Sequence, residues 1–198
     1  MYPIRPRSVP AEPYAYWEDF FSPEELDKIN ALSQWLDTAD ARVGNGQEGG
    51  VVNQEIRRTD VAWLPLNSNT EWIYQRIANV VAEVNARFFR FDLDAMYEDI
   101  QLGVYHEKQQ GYYNWHVDGG MGCGNPARKL SMALLLSDPS EFEGGSLQLK
   151  TVNDEPISVE QKKGRAWFFP AYTLHRVTPV TKGIRRSLVV WCGGKDFR

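Results

Sequence analysis

The second half of the chain contains a series of short apolar runs, and this series limits the possible folds more than any other feature. Breakers such as SDPS, VNDEP, QKKG and VTKG separate the runs. About eight short strands at a spacing of roughly 8–12 residues are typical of an all-β sandwich or jelly roll. We therefore expect strands over residues 95–105, 111–118, 129–137, 145–151, 156–159, 165–170, 174–178 and 185–192.

The first half of the chain has a helical pattern instead. Ser22-Pro23-Glu24-Glu25 combines a capping serine, a proline at the first helical position and a capping-box glutamate, and we expect a helix of about four turns after it. A second helix should follow Asn69 or Thr70, because apolar residues recur there at spacings of three and four. These residues are Ile73, Ile77, Val80, Val81, Val84 and Phe88. Thr59 to Leu64 suggests a short strand between the two helices.

These patterns predict a mainly β (α+β) fold, in which a double-stranded β-helix, or jelly roll, of about eight strands has supporting N-terminal helices. Residues 1–16 contain four prolines and should form an extended arm. Residues 17–198 should form a single domain. Its helical support would comprise residues 17–91 and its jelly-roll core residues 92–198.

Composition and charge exclude several classes of protein. The net charge is −4 and no run of Lys or Arg exceeds two residues, which argues against a nucleic-acid partner. No stretch approaches the roughly 18 consecutive apolar residues of a membrane span, so we expect no membrane partner. The two cysteines, Cys123 and Cys192, have no CxxC spacing, and we interpret them as the reduced thiols of a cytoplasmic protein.

The chain has only three histidines, and two of them suggest a metal centre. His116 and Asp118 are two residues apart, so a strand would place both side chains on one face. This pair alone is weak, because a single strand histidine is more often a hydrogen-bonded core residue. His175 near the start of a later strand completes the two-histidine, one-carboxylate set of Fe(II) oxygenases. Zinc accepts the same ligands, so a jelly-roll hydrolase, isomerase or binding module remains an alternative.

The last predicted strand carries a possible anion site. Arg185, Ser187, Val189 and Trp191 share one face of this strand. An inward-facing arginine in an apolar strand is costly unless its guanidinium meets an anion, and its planar fork matches a carboxylate. The alternative is that Arg185 points outward into a surface ion pair and Arg186 faces inward.

Three segments together resemble the 2-oxoglutarate/Fe(II)-dependent dioxygenases of the prolyl 4-hydroxylase-like type. They are YYNWHVD (112–118), KLSMALLLSDPSEFEGGSLQL (129–149) and FFPAYTLHRVTPVTKGIRRSLVVW (168–191). The resemblance extends over about residues 97–192. It implies that His116, Asp118 and His175 bind iron, with no catalytic residue beyond the metal centre.

The same resemblance implies roles for residues around the metal. Arg185 would bind the far carboxylate of 2-oxoglutarate. Independently of the resemblance, Ser187 lies two residues on along the same strand face and can add a hydroxyl bond. Trp191 would line the mouth of the pocket and contact the substrate. Tyr105 is the best match for a tyrosine that assists the co-substrate, but it lies eleven residues before His116, farther than this family usually places it. Tyr112 and Tyr113 are therefore alternatives.

Other residues near the predicted metal site can be explained without a role in the reaction. The glycine-rich loop within residues 119–127 is either a lid over the metal or an ordinary flexible loop. Arg57, Arg58 and Trp63 lie on a segment that could border the pocket, but we expect the two arginines to be solvated, since exposed charge is the commoner arrangement. We expect His106 at the surface, because its strand parity is opposite to that of Tyr105.

The resemblance implies an oxidoreductase that requires Fe(II), 2-oxoglutarate and O2, with ascorbate as a further reductant. Such an enzyme hydroxylates an unactivated C–H bond, and the expected target is a prolyl residue of a peptide or protein. A free amino acid or another small molecule is the alternative substrate. Arg185 argues against a zinc hydrolase, which has no need of a buried carboxylate clamp after its third ligand.

Overall fold

Two antiparallel sheets form the body of the protein in this computed structural model, which describes residues 12–33, 39–41, 51–119, 127–152 and 155–195. The larger sheet has the order β1 (Ala15–Trp17), β11 (Ala166–Pro170), β7 (Arg128–Leu135), β13 (Val180–Gly193), β5 (Ile100–His106), β4 (Asp60–Leu64) and β2 (Ala39–Asp40), and β8 (Phe142–Gly144) pairs with β13. The smaller sheet has the order β10 (Ile157–Ser158), β9 (Leu147–Lys150), β12 (Leu174–Val177), β6 (Tyr112–His116) and β3 (Arg57–Arg58).

The predicted jelly roll is confirmed, and each of the eight predicted runs contains a strand. The differences lie at the ends. The first run becomes a strand only at Ile100, while Ala95 forms an isolated bridge with Gly193. The last strand begins at Val180, before the predicted residue 185. Strands β1, β2, β3 and β8 were not predicted, because runs of two or three residues are too short to show a period.

Two helices lie at the positions that the sequence predicts. Helix α1 (Pro23–Ser33) begins with the capping box, in which the Ser22 N–H donates to Glu25 and the Glu25 N–H donates to the Ser22 hydroxyl. Its predicted fourth turn falls on residues 34–38, outside the described residues. Helix α2 (Glu71–Val84) continues into a π-helical turn over Asn85–Phe89.

The apolar face of α2 packs into the larger of two core clusters. Ile73, Ile77 and Val84 are fully buried there beside Leu102 and Leu134 of the larger sheet. A second cluster lies between the sheets and joins residues of β5, β9, β11 and β12. The helices therefore support the larger sheet from outside and leave its other face to the smaller sheet.

Tyr74 of α2 links the helix to two strand ends. Its hydroxyl donates to the Leu64 carbonyl (2.6 Å) and accepts from the Ile100 N–H (3.1 Å). Tyr74→Phe should lower the free energy of unfolding by about 1–3 kcal/mol, because it leaves these buried groups without a partner. Urea unfolding measures the change. Tyr16→Phe, at an exposed tyrosine, is the control and should change it by less than about 0.5 kcal/mol; equal effects would contradict the prediction.

Several further predictions meet the structure only in part. Residues 1–11 of the predicted extended arm lie outside the described residues, whereas its last two residues, Ala15 and Tyr16, pair with β11. The division of the chain at residue 16 stays a prediction. Cys192 is buried and unpaired, whereas Cys123 is not described. No helix in the described part of the chain is long and apolar enough to span a membrane.

Candidate active site

His116, Asp118 and His175 come together where β6 and β12 pair in the smaller sheet. His116 and His175 are direct partners in the register of these strands, and their ring centres are 4.1 Å apart. Asp118 follows the end of β6, where its N–H donates to the Ala171 carbonyl. One ligand atom from each residue lies within 4.8 Å of the other two. The fold therefore brings His175 to the other two residues, although it lies 57 positions after Asp118 in the chain, and the three side chains can bind one metal ion.

Hydrogen bonds orient both imidazole rings so that Nε2 of each ring faces the possible metal site. Nδ1 of His116 lies 2.7 Å from the Asn114 carbonyl, and Nδ1 of His175 lies 2.8 Å from the Thr173 carbonyl. A carbonyl only accepts, so Nδ1 carries the proton in both rings and Nε2 keeps its lone pair. The Nε2 atoms lie 3.5 Å and 3.4 Å from the Asp118 carboxylate. This is the outer-shell arrangement that orients metal-binding histidines.

The protonation states also suit a divalent cation. Burial raises the pKa of the Asp118 carboxyl, but His175, His116 and the Ser131 hydroxyl outweigh that effect and hold the pKa well below its ordinary value. Burial lowers the pKa of His175. A charged carboxylate and a neutral imidazole are the forms that bind metals. Two nitrogens and one oxygen fit Fe(II), and they also fit zinc.

Ser131 on β7 supports the carboxylate from the opposite sheet. Its hydroxyl donates to Oδ2 of Asp118 at 2.7 Å, and Ser131 is fully buried. Ser131→Ala should weaken metal binding by about 10–100-fold, the usual effect of losing an outer-shell partner. A Mn(II) titration of the purified protein measures this. Ser137→Ala, which removes a buried hydroxyl bonded to the Ile184 carbonyl, should leave the affinity unchanged; a similar loss in both variants would contradict the role of Ser131.

Arg185 on β13 is buried and faces inward, whereas Arg186 is only half-buried, so the alternative of an outward-pointing Arg185 is wrong. The side chain of Arg185 donates to the Ser187 hydroxyl at 3.1 Å, and its guanidinium lies 5.1 Å from the Tyr105 ring centre. Its Nε is buried and has no hydrogen-bond partner among the residues that the structure describes. Burial lowers the pKa of this guanidinium, and no carboxylate of the described residues pairs with it. A buried cation without a counter-ion is costly, so this site is suited to an anionic ligand.

The structure separates the three candidate tyrosines. Tyr105 is buried, and it is the strand partner of Arg185. Tyr113 stacks on the His116 ring with 3.4 Å between ring centres, and burial raises its pKa to about 12. The Tyr112 hydroxyl bonds to backbone carbonyls of residues 54 and 55. Tyr105 alone therefore lies against the guanidinium of Arg185.

A close approach at Gly103 marks the space beside Arg185. A Cβ atom at this position would lie 3.3 Å from the Tyr105 ring, 3.6 Å from the Ser187 hydroxyl and 3.7 Å from Thr59. Three side chains thus converge on a glycine that contributes no side chain of its own. The glycine therefore allows the Tyr105 ring to pack closely against this strand.

Trp191 lies on the same strand, near the metal ligands. It is the register partner of Ser131, and Arg128 stacks over its ring at 3.8 Å. Arg128 also donates to Glu98 (2.7 Å) and to the Asp118 carbonyl (3.3 Å). Neither Arg128 nor Glu98 was singled out from the sequence, because they are 30 residues apart and follow no motif.

The prediction of a solvated Arg57 is wrong. Arg57 is 7% exposed, whereas its neighbour Arg58 is half-buried. Strand β3 pairs with β6 and turns Arg57 inward, over the ring of Tyr113 at 4.4 Å. A strand of two residues has no alternation from which this orientation could be predicted.

Two further sequence predictions concern the surroundings of the centre. His106 lies outside it, with a third of its side chain exposed and Nε2 at 3.3 Å from Asp60. The loop that was considered a lid lies largely in residues 120–126, which are outside the described residues, so its role stays a prediction.

Comparison with known proteins gives related sequences and folds. Residues 100–193 match the 2OG-Fe(II) oxygenase superfamily. A PKHD-type hydroxylase of Xanthomonas euvesicatoria pv. vesicatoria is 29% identical over 181 residues, covering 87% of this chain and 75% of the relative.

Two solved structures share the fold. One is a prolyl hydroxylase from Trichoplax adhaerens in complex with a hypoxia inducible factor peptide fragment, with a TM-score of 0.73, 13% identity and coverage of 91% of this chain and 83% of that chain. The other is the viral collagen prolyl hydroxylase of Paramecium Bursaria Chlorella virus-1 in its 2OG complex, with a TM-score of 0.67, 23% identity and coverage of 92% and 97%.

Proposed function

We propose that the chain is a 2-oxoglutarate- and Fe(II)-dependent oxygenase of the prolyl-hydroxylase-like type and that it hydroxylates a prolyl residue of a peptide or protein. One observation supports this reaction above all others. The two-histidine, one-carboxylate cluster lies inside the same barrel as Arg185, a buried guanidinium that has no counter-ion among the described residues. A metal-dependent hydrolase needs no such anion site, whereas a dicarboxylic co-substrate does.

The histidine–aspartate cluster and the anion site at Arg185 have different roles in this reaction. His116, Asp118 and His175 would hold Fe(II), and three ligands of this kind leave positions open for other ligands. When bound, the ion activates O2 for the oxidative decarboxylation of 2-oxoglutarate and the hydroxylation of a C–H bond. Asp118 supplies the negative charge of the site, and the two Nδ1–H bonds fix the rings for their role.

Arg185 and Ser187 would bind the carboxylate of 2-oxoglutarate that is far from the metal. The guanidinium offers a planar fork and the hydroxyl a further donor, which together suit a carboxylate. Tyr105 packs against this guanidinium and limits the access of water to it. Within a dry site such a charge pair is stronger than in water. These residues therefore position the co-substrate without taking part in bond breaking.

Two lines of support favour a prolyl residue of a peptide or protein over a free amino acid. The solved structures of similar fold are described as a prolyl hydroxylase with a peptide fragment and a collagen prolyl hydroxylase. On this chain, Trp63 is partly exposed and its ring centre lies 6.3 Å from that of Trp191. A tryptophan pair offers the apolar surface on which a proline ring can pack. The cytoplasmic location and the absence of nucleic-acid and membrane partners stay predictions.

Mass spectrometry of reaction products tests the proposal. The purified protein is incubated with Fe(II), ascorbate and 2-oxoglutarate, together with proline-containing peptides or with free amino acids. We expect one oxygen atom to be added to a proline within a peptide, with succinate formed in step. Oxygen added only to free amino acids, or to no proline, would contradict it.

A further inference from the structure

A second buried guanidinium, that of Arg57, lies beside the metal cluster and has no part in the proposed function. Its side chain donates to Gln101 Oε1 at 2.8 Å, and both residues are buried. The Nε atom of Arg57 is enclosed and has no hydrogen-bond partner in the described part of the chain. No acidic side chain among the described residues forms an ion pair with Arg57. This arginine therefore has the same unbalanced charge as Arg185.

Arg57 and Gln101 lie between the metal ligands and the exposed tryptophan. On one side, Arg57 stacks over Tyr113, which stacks in turn on His116. On the other side, Gln101 is the register partner of Trp63. The pair thus borders the region that a substrate approaching His116 past Trp63 would enter.

This position is separate from the anion site of Arg185. Gln101 and Tyr105 share the inward face of β5, and four residues along a strand span about 13 Å. Tyr105 is the strand partner of Arg185, so Gln101 lies well beyond it along the strand. One small dicarboxylate bound at Arg185 and at the metal does not need Arg57. The co-substrate therefore gives no reason for the second buried guanidinium.

We propose that Arg57 and Gln101 bind a carboxylate of the substrate that is hydroxylated, an inference that rests on the proposed prolyl hydroxylation. The free Nε–H of Arg57 is a charged donor. Because Gln101 Oε1 accepts from Arg57, the amide nitrogen of Gln101 is a second donor. Two buried donors, one of them charged, match a carboxylate and would leave a neutral amide less well bound. The carboxylate is either the C-terminus of the peptide or an acidic side chain beside the target proline.

Two matched peptide pairs test this site and separate the two sources. The first pair ends in proline, as the free acid or as the amide. The second pair is amidated and carries Glu or Gln beside an internal proline. Binding is measured by calorimetry to the full chain loaded with Mn(II) and 2-oxoglutarate. We expect the acidic member of one pair to bind roughly ten- to hundredfold more tightly than its neutral partner, and that pair identifies the source.

Variants distinguish ligand binding from simple packing of Arg57 on Tyr113. Arg57→Gln should abolish the preference for the acidic peptide, and Gln101→Leu should reduce it. Arg58→Gln is the matched control, because Arg58 lies next in the chain and donates to the Gln54 carbonyl instead; it should keep the full preference. A structural role would weaken acidic and neutral peptides equally, and that result would overturn the proposal.

If Arg57→Gln does not fold, the peptide pairs still test the carboxylate site with the wild-type protein alone. Equal affinities within both peptide pairs would overturn the carboxylate site. If those peptides were nevertheless hydroxylated on proline, the proposed function would stand without it. If no peptide bound, the proposed function would fail and the carboxylate site with it.

Discussion

Asp118→Ala should abolish Fe(II)-dependent succinate formation. The substitution removes the only carboxylate of the cluster, so the metal affinity should fall by more than the roughly 100-fold that loss of an outer-shell partner causes. The fold should persist, because the main apolar cluster that includes Leu134 and Ile77 contains none of the three ligands. Succinate release and Mn(II) titration measure the two effects, and circular dichroism checks the fold.

Glu143→Ala provides the control for Asp118→Ala. Glu143 is an exposed carboxylate that pairs with Lys182 at the surface, so its loss should leave both metal binding and succinate formation unchanged. Succinate formed by Asp118→Ala at the wild-type rate would refute the assignment of the cluster as the metal centre.

Arg185→Ala should weaken 2-oxoglutarate binding by roughly two to three and a half orders of magnitude. Removing one partner of a buried charge pair costs about 3–5 kcal/mol, and each 1.4 kcal/mol corresponds to about a tenfold change. Arg185→Lys should give an intermediate affinity, because it keeps the charge and loses the planar fork. A 2-oxoglutarate titration that follows succinate release measures the apparent affinity of each variant.

Arg186→Ala is the matched control for this series. Arg186 is adjacent in the chain but has the opposite strand parity, and it is only half-buried. It should tolerate alanine with little change in co-substrate affinity. If Arg186→Ala lowered the 2-oxoglutarate affinity strongly and Arg185→Ala lowered it only slightly, the assignment of Arg185 as the carboxylate-binding residue would be wrong.

The sequence could predict which site residues share a face wherever they lie on a long, regular strand. Alternation along β13 is long enough to place Arg185 and Ser187 on one face, and the structure has them there. The spacing of His116 and Asp118 indicates a shared face in the same way. The direct pairing of His116 with His175 could not be derived from spacing, since it depends on which strands become neighbours across the sheet. The family resemblance implied only that the two histidines bind the same metal ion.

The remaining features lie where short elements or distant pairs decide the structure. Arg57 belongs to a two-residue strand, and its partner Gln101 is 44 residues away. Arg128 and Glu98 meet beside Trp191 only after β7 is in place. A single sequence contains no local signal for such contacts, because each depends on the completed barrel. They are therefore the parts of the site for which the structure was needed.

Incubation under isotopically labelled dioxygen tests most directly that this chain is a 2-oxoglutarate-dependent dioxygenase acting on peptidyl proline. The holoenzyme is supplied with 2-oxoglutarate and a proline-containing peptide, and both products are analysed by mass spectrometry. We predict one labelled oxygen atom in the hydroxylated proline, one in succinate, and equal amounts of the two products. Hydroxylated proline whose oxygen comes from water, or succinate formed with no label on any peptide proline, would contradict this.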